Sequence, residues 1–121
     1  MENKKANKLI DKILENLDKK GINTNTLIDD IKTLRVYALE EQVPLVVKVL
    51  RYTYEHIEEN KTFLVPILND EPIDEVDSDD ENETIDSPVE SLKYLIALTR
   101  NLKNKGNISD LKEYKELLLT Y

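Results

Sequence analysis

Apolar residues recur along this 121-residue chain at spacings of three and four, the period that gathers side chains onto one side of an α-helix. The first run is Ala6, Ile10, Ile13, Leu14 and Leu17, with Leu9 beside them, and it predicts a helix over about residues 4–20. Asn3 precedes it as a cap for free amides, Lys19 and Lys20 sit where positive charge suits the helix dipole, and Gly21 offers a left-handed stop. A second run, Leu27, Ile31, Leu34 and Ala38, widened by Ile28 and Leu39, predicts a helix over about 26–42. Asn25, or Thr26 with Asp29, would cap it. Val36 and Tyr37 stand partly off that stripe, so this helix is expected to touch neighbours on more than one side.

Pro44 starts a third helix, because a first-turn residue needs no amide partner and proline drives the residue before it out of helical geometry. Its run over about 44–60 (Leu45, Val46, Val49, Leu50, Tyr52, Thr53, Ile57) has the broadest apolar arc and predicts the central core helix. The periodicity then fails. Residues 62–68 are apolar without helical spacing and contain Pro66, which predicts an extended segment laid across the helices or onto a partner. Beyond residues 69–87 the pattern resumes. Ser87-Pro88-Val89-Glu90 combines a cap, a first-turn proline and a capping-box acid. Leu92, Leu95, Ile96, Thr99 and Leu102 predict a fourth helix over about 88–105, stopped by Gly106. A fifth, about 110–120, carries Leu111, Tyr114, Leu117, Leu118 and Tyr121, with a cap at Ser109 or Asp110, and should form a hairpin with the fourth.

Charge changes this picture at one place. Residues 70–86 hold ten of the 25 acids and none of the 17 bases, which leaves the rest of the chain at 15 acids against 17 bases, a balance of +2. The formal net charge of −8 therefore belongs to one stretch on a near-neutral body. A same-sign run with only Ile73, Val76 and Ile85 to bury cannot offset its own ordering entropy, so a mobile acidic loop over 69–87 is expected.

Composition narrows the chemistry. With no Cys, disulfides, thiolate catalysis and Cys-ligated metal sites are excluded. No apolar run is long enough for a membrane span and the start has no signal-peptide pattern, so a cytoplasmic protein is expected. His56 is the only His; Tyr52, Glu55 and Glu59 are its helical neighbours, a spacing common in any acidic helix. Asp77, Asp79 and Glu81 alternate like the start of a calcium loop, but Asn82 stands where the sharp-turn Gly belongs and Pro88 where the closing Glu belongs. Loose association with divalent cations is all that pattern supports. The two glycines are both explained as helix stops, which excludes the familiar phosphate-binding loops. The lysine runs on the first and fourth helices read as solvated faces rather than a nucleic-acid stripe. Six Tyr against one Phe and no Trp suit a surface that is alternately wet and buried.

The sequence thus predicts an all-α, five-helix domain over 1–121, a helical bundle or set of orthogonal hairpins with one mobile acidic loop, and no cofactor or metal. The expected role is a non-enzymatic protein-interaction module, self-associating as a homodimer. Tyr37, Tyr52, Tyr54, Phe63 and Val65 are the expected contact residues; Asp77, Asp79, Asp80, Glu81 and Glu83 are the expected recognition loop, steering a basic partner. Two alternatives are an inhibitor or antitoxin-like protein whose loop enters a basic groove, and a small hydrolase or metal-dependent enzyme around His56.

Overall fold

Asn3 turns extended backbone into the first helix: its side-chain oxygen accepts from the Lys5 amide at 2.7 Å and the Ala6 amide at 3.3 Å. The computed structural model describes residues 1–22, 24–65 and 88–120. Among them are five α-helices: α1 (Lys4–Lys20), α2 (Thr24–Glu40), α3 (Pro44–Asn60), α4 (Pro88–Leu98) and α5 (Lys105–Thr120). This is an all-α domain. Ala6, Ile10, Ile13 and Leu17 of α1 are buried as one stripe, and α3 buries Val46, Val49, Leu50, Thr53, His56 and Ile57 over a wide arc.

Each helix packs on two others, and the contacts close into a ring: α1 on α2, α2 on α3, α3 on α5, α5 on α4, α4 on α1. Polar contacts give the directions. The Glu41 carboxylate, just beyond α2, accepts from the Glu2 and Asn3 amides at the head of α1, each at 3.0 Å. Lys32 of α2 pairs with Glu58 of α3 at 3.6 Å. Asp18 near the end of α1 pairs with Lys93 at the middle of α4, while the Met1 ammonium before α1 reaches the Thr99 carbonyl just past the end of α4 at 2.8 Å. The Tyr94 hydroxyl donates to Asp110 at 2.7 Å. All four of these pairs run antiparallel. A ring of five cannot alternate throughout, so one pair must run parallel. It is α3 with α5, whose last turns meet where Tyr52 and His56 face Leu118 and Leu119.

The segment after α3 closes the core over this parallel pair. Phe63 meets the His56 ring edge-on (5.5 Å between centroids, 72°) and lies 6.5 Å from Tyr114 of α5. The Ser91 hydroxyl of α4 donates to the Val65 carbonyl at 2.7 Å. Three helices therefore hold residues 63–65. Phe63 and Val65, expected on a contact surface, are each 1% exposed, because Phe63 packs between the His56 and Tyr114 rings and Ser91 holds the Val65 carbonyl.

The ends of three helices differ from expectation. α4 stops at Leu98 rather than near 105: the Thr99 and Arg100 amides make short bonds to the Ile96 and Ala97 carbonyls, and the Met1 ammonium takes the Thr99 and Arg100 carbonyls. α5 begins at Lys105 rather than 110 because Asn104 caps it, accepting from the Gly106 amide at 2.8 Å and the Asn107 amide at 3.2 Å. Gly106 lies in the first turn of α5 and stops nothing, and Asp110 serves as acceptor for Tyr94 instead of as a cap. α2 runs over 24–40, two residues earlier at both ends than expected. The acidic loop, residues 69–87, and Pro66 to Leu68 lie outside the described residues.

Gly21 does end α1, at φ +69 and ψ −154, with its amide on the Leu17 carbonyl. That region of backbone space is essentially reserved for glycine. A Cβ there would meet Val89 only at an ordinary 3.8 Å, so the cost of Gly21→Ala is conformational. We expect Gly21→Ala to lose about 1–3 kcal/mol of unfolding free energy, read from urea melts; an unchanged midpoint would mean that the α1 stop relaxes freely.

Candidate interaction surface

Two places bring side chains singled out by the sequence to the surface. The first is the shallow groove beside His56, lined by Tyr52, Glu55, Glu59, Leu118 and Leu119. The imidazole itself is 6% exposed. Its Nε2 accepts from the Leu64 amide at 3.0 Å, so the neutral ring keeps its proton on Nδ1. Burial lowers the His56 pKa, opposed by the Glu59 carboxylate. Glu55 is engaged by Arg51 at 3.1 Å, one turn away. Both acids of the groove belong to the same helix as His56, and the opposite wall supplies Leu118 and Leu119. Among the described residues lining this groove, no nucleophile–base–acid relay is drawn from separate elements. Among the described residues, no three His, Cys, Asp or Glu side chains come together in a way that could hold a metal ion.

The second place is the elbow between α2 and α3. Here α2 ends in a Schellman motif: the Val43 amide reaches back to the Ala38 carbonyl and the Gln42 amide to the Leu39 carbonyl, each at 3.1 Å, with Gln42 at φ +59. Pro44 then opens α3. This tight reversal exposes a groove lined by Leu39, Gln42, Val43, Pro44, Val47 and Lys48. Val36, one turn before Leu39, extends it along α2. Val36 is 49% exposed and Leu39 50%. Pro44 is exposed as well, and Val43 and Val47 between them are half-buried; single exposed apolar residues are ordinary, whereas several that adjoin are a feature of contact surfaces. The other large exposed apolar residues, Leu64 and Leu119, border residues that are not described; the chain on both sides of the elbow is described in full.

Of the expected contact residues, Tyr37, Tyr52 and Tyr54 are half-buried at the edge of the core. The Lys32 ammonium lies 5.2 Å from the centre of the Tyr54 ring, between the elbow and the far end of the hairpin. Phe63 and Val65 are core residues and present nothing to a partner. Asp77, Asp79, Asp80, Glu81 and Glu83 lie outside the described residues. The elbow itself went unread in the sequence, where Leu39 shares the spacing of the buried stripe. Val36, standing off that stripe, was its one available signal.

No described helix is long and apolar enough to cross a membrane. Comparison with protein-family models, with curated proteins and with solved structures finds no match to this chain.

Proposed function

We propose that this chain is a non-enzymatic protein-interaction module that docks through the α2–α3 elbow, with the acidic stretch steering approach from a distance. The observation that carries this reading is the adjoining apolar strip of Val36, Leu39, Val43, Pro44 and Val47, in which Val36, Leu39 and Pro44 are exposed and nothing among the described residues covers them. The chain spends helix-capping and turn geometry on forming that face, which supports a role beyond stabilising α2. Steering is expected from the ten acids over residues 70–86, all of one sign, which would raise encounter rates with a basic partner and would do so less at high salt.

The test is affinity capture from the cells the protein comes from, with three baits: the native chain, Leu39→Lys, and a chain whose residues 70–86 are replaced by a neutral Gly/Ser segment. Leu39→Lys is expected to lose bound proteins by about tenfold or more, the usual cost of putting a charge at an apolar contact. The neutral-segment bait should keep the same proteins at lower yield. Identical recoveries from the native and Leu39→Lys baits would remove the elbow from this account.

A further inference from the structure

We infer that the elbow is the two-fold interface of a homodimer, its occupant being the elbow of a second copy; this rests on the interaction reading above and names the partner. Two observations select a second copy over an unrelated chain. The first is the charge at the two edges of the apolar strip. Glu40 stands next to Leu39 on α2, and Lys48 stands next to Val47 on α3. Both are exposed, and among the described residues neither has an ion-pair partner. A two-fold axis through the strip lays α2 of one protomer over α3 of the other. Glu40 then faces the partner's Lys48, and Lys48 faces the partner's Glu40. A strip with a free acid along one edge and a free base along the other is complementary to itself.

The second observation is where the acidic stretch is attached. The elbow lies at the end of the bundle that holds the start of α1. Residues 66–87 join Val65, just past the end of α3, to Pro88 at the start of α4, which is the opposite end. A 17-residue helix is about 25 Å long, several times the roughly 8 Å over which charges act at physiological salt. Two copies can therefore meet elbow to elbow without bringing the attachment points of their acidic stretches together. At the elbow Glu40 and Lys48 supply one charge of each sign, so like-charge repulsion between two elbows is not expected from these two residues.

The strip is small beside a standard interface, so the dimer should be weak and dependent on concentration. Sedimentation velocity of the intact chain from about 10 μM to about 1 mM, the range in which weak complexes form, reads it directly. The weight-average mass is expected to rise from 14.1 kDa towards twice that value. Leu39→Lys should stay at the monomer mass throughout. Because Leu39 is half-exposed this variant is expected to fold, and its thermal melt checks that it does. Glu40→Lys and Lys48→Glu should each weaken association several-fold, and the double variant E40K/K48E should recover most of the loss. A native chain that stays monomeric at every concentration overturns the inference, as does a dimer that survives Leu39→Lys. A monomer whose Leu39 still governs capture of other proteins overturns the second copy alone and leaves the proposed function standing.

Discussion

Phe63→Ala is expected to lower the unfolding free energy by about 3–5 kcal/mol, the usual cost of deleting a fully buried aromatic ring. That is a large share of the stability of a domain of this size and corresponds to a fall in Tm of roughly 10–20 °C. Phe63 is the only Phe, and it fills the space between His56 of α3 and Tyr114 of α5. Its removal leaves a cavity walled by rings whose helices are fixed by the rest of the bundle. Surrounding residues can collapse only partly, so the cavity term adds to the transfer term. The neighbouring residue provides the contrast. Leu64 is 52% exposed, and Leu64→Ala should change stability by no more than about 0.5 kcal/mol, as for ordinary surface positions. Urea melts of the two variants with the same slope but well-separated midpoints would place the extended segment in the core. Equal midpoints would return Phe63 to the surface and reopen its role as a contact residue.

Much of this architecture was legible where a local signal carries its own mechanism. Pro44 and Pro88 mark helix starts because the proline ring bars helical geometry in the residue before it and suits the first helical turn. Asn3 and Gly21 bracket α1 for equally local reasons. The end of α4 was illegible for the opposite reason. Leu102 continues the apolar spacing past Leu98, and Lys105-Gly106 imitates a helix stop. At the end of α4 the Thr99 hydroxyl and amide both turn back to the Ile96 carbonyl, and the Thr99 carbonyl is taken by the Met1 ammonium, 98 residues away in sequence. The elbow was hidden because spacing within a helix says which residues share a side, but not where the neighbouring helix lies. Leu39 shares a stripe with buried residues, yet it emerges into the groove because α3 turns back so sharply at Val43 and Pro44.

His56 shows the same limit in its chemistry. Helical spacing offers it Glu55, Glu59 and Tyr52 as side-chain neighbours, whereas the group that engages the ring is the Leu64 backbone amide, eight residues on. That bond makes stability depend on pH. Nε2 can accept from Leu64 only while it is unprotonated, and a protonated ring would set one N–H against another in a buried place. Burial pushes the folded-state pKa below the ordinary value of 6.5, with Glu59 opposing. The unfolded chain therefore binds the proton more readily, and stability rises with pH across this range. The His56 contribution is complete above about pH 6.5, the unfolded value, and is lost as pH falls through the lower folded value.

His56→Gln removes the titration while keeping a side-chain oxygen to accept from Leu64. At about pH 8 the native chain should be the more stable by about 1–3 kcal/mol, since the variant gives up the ring contact with Phe63 and leaves packing imperfect. As pH falls below about 6.5, where the imidazole of the unfolded native chain takes up a proton and the variant has nothing to protonate there, that gap should narrow. Taking the difference between the two chains at each pH cancels the carboxylates they share. As the only His, its imidazole gives one set of resonances, so the folded-state pKa can be read independently by NMR in the same samples. A stability difference that stays flat from pH 8 to pH 5, or a folded-state pKa at or above the ordinary value, would mean that the ring is not held neutral by the Leu64 amide, and that residues 61–65 are anchored by Phe63 and Val65 alone.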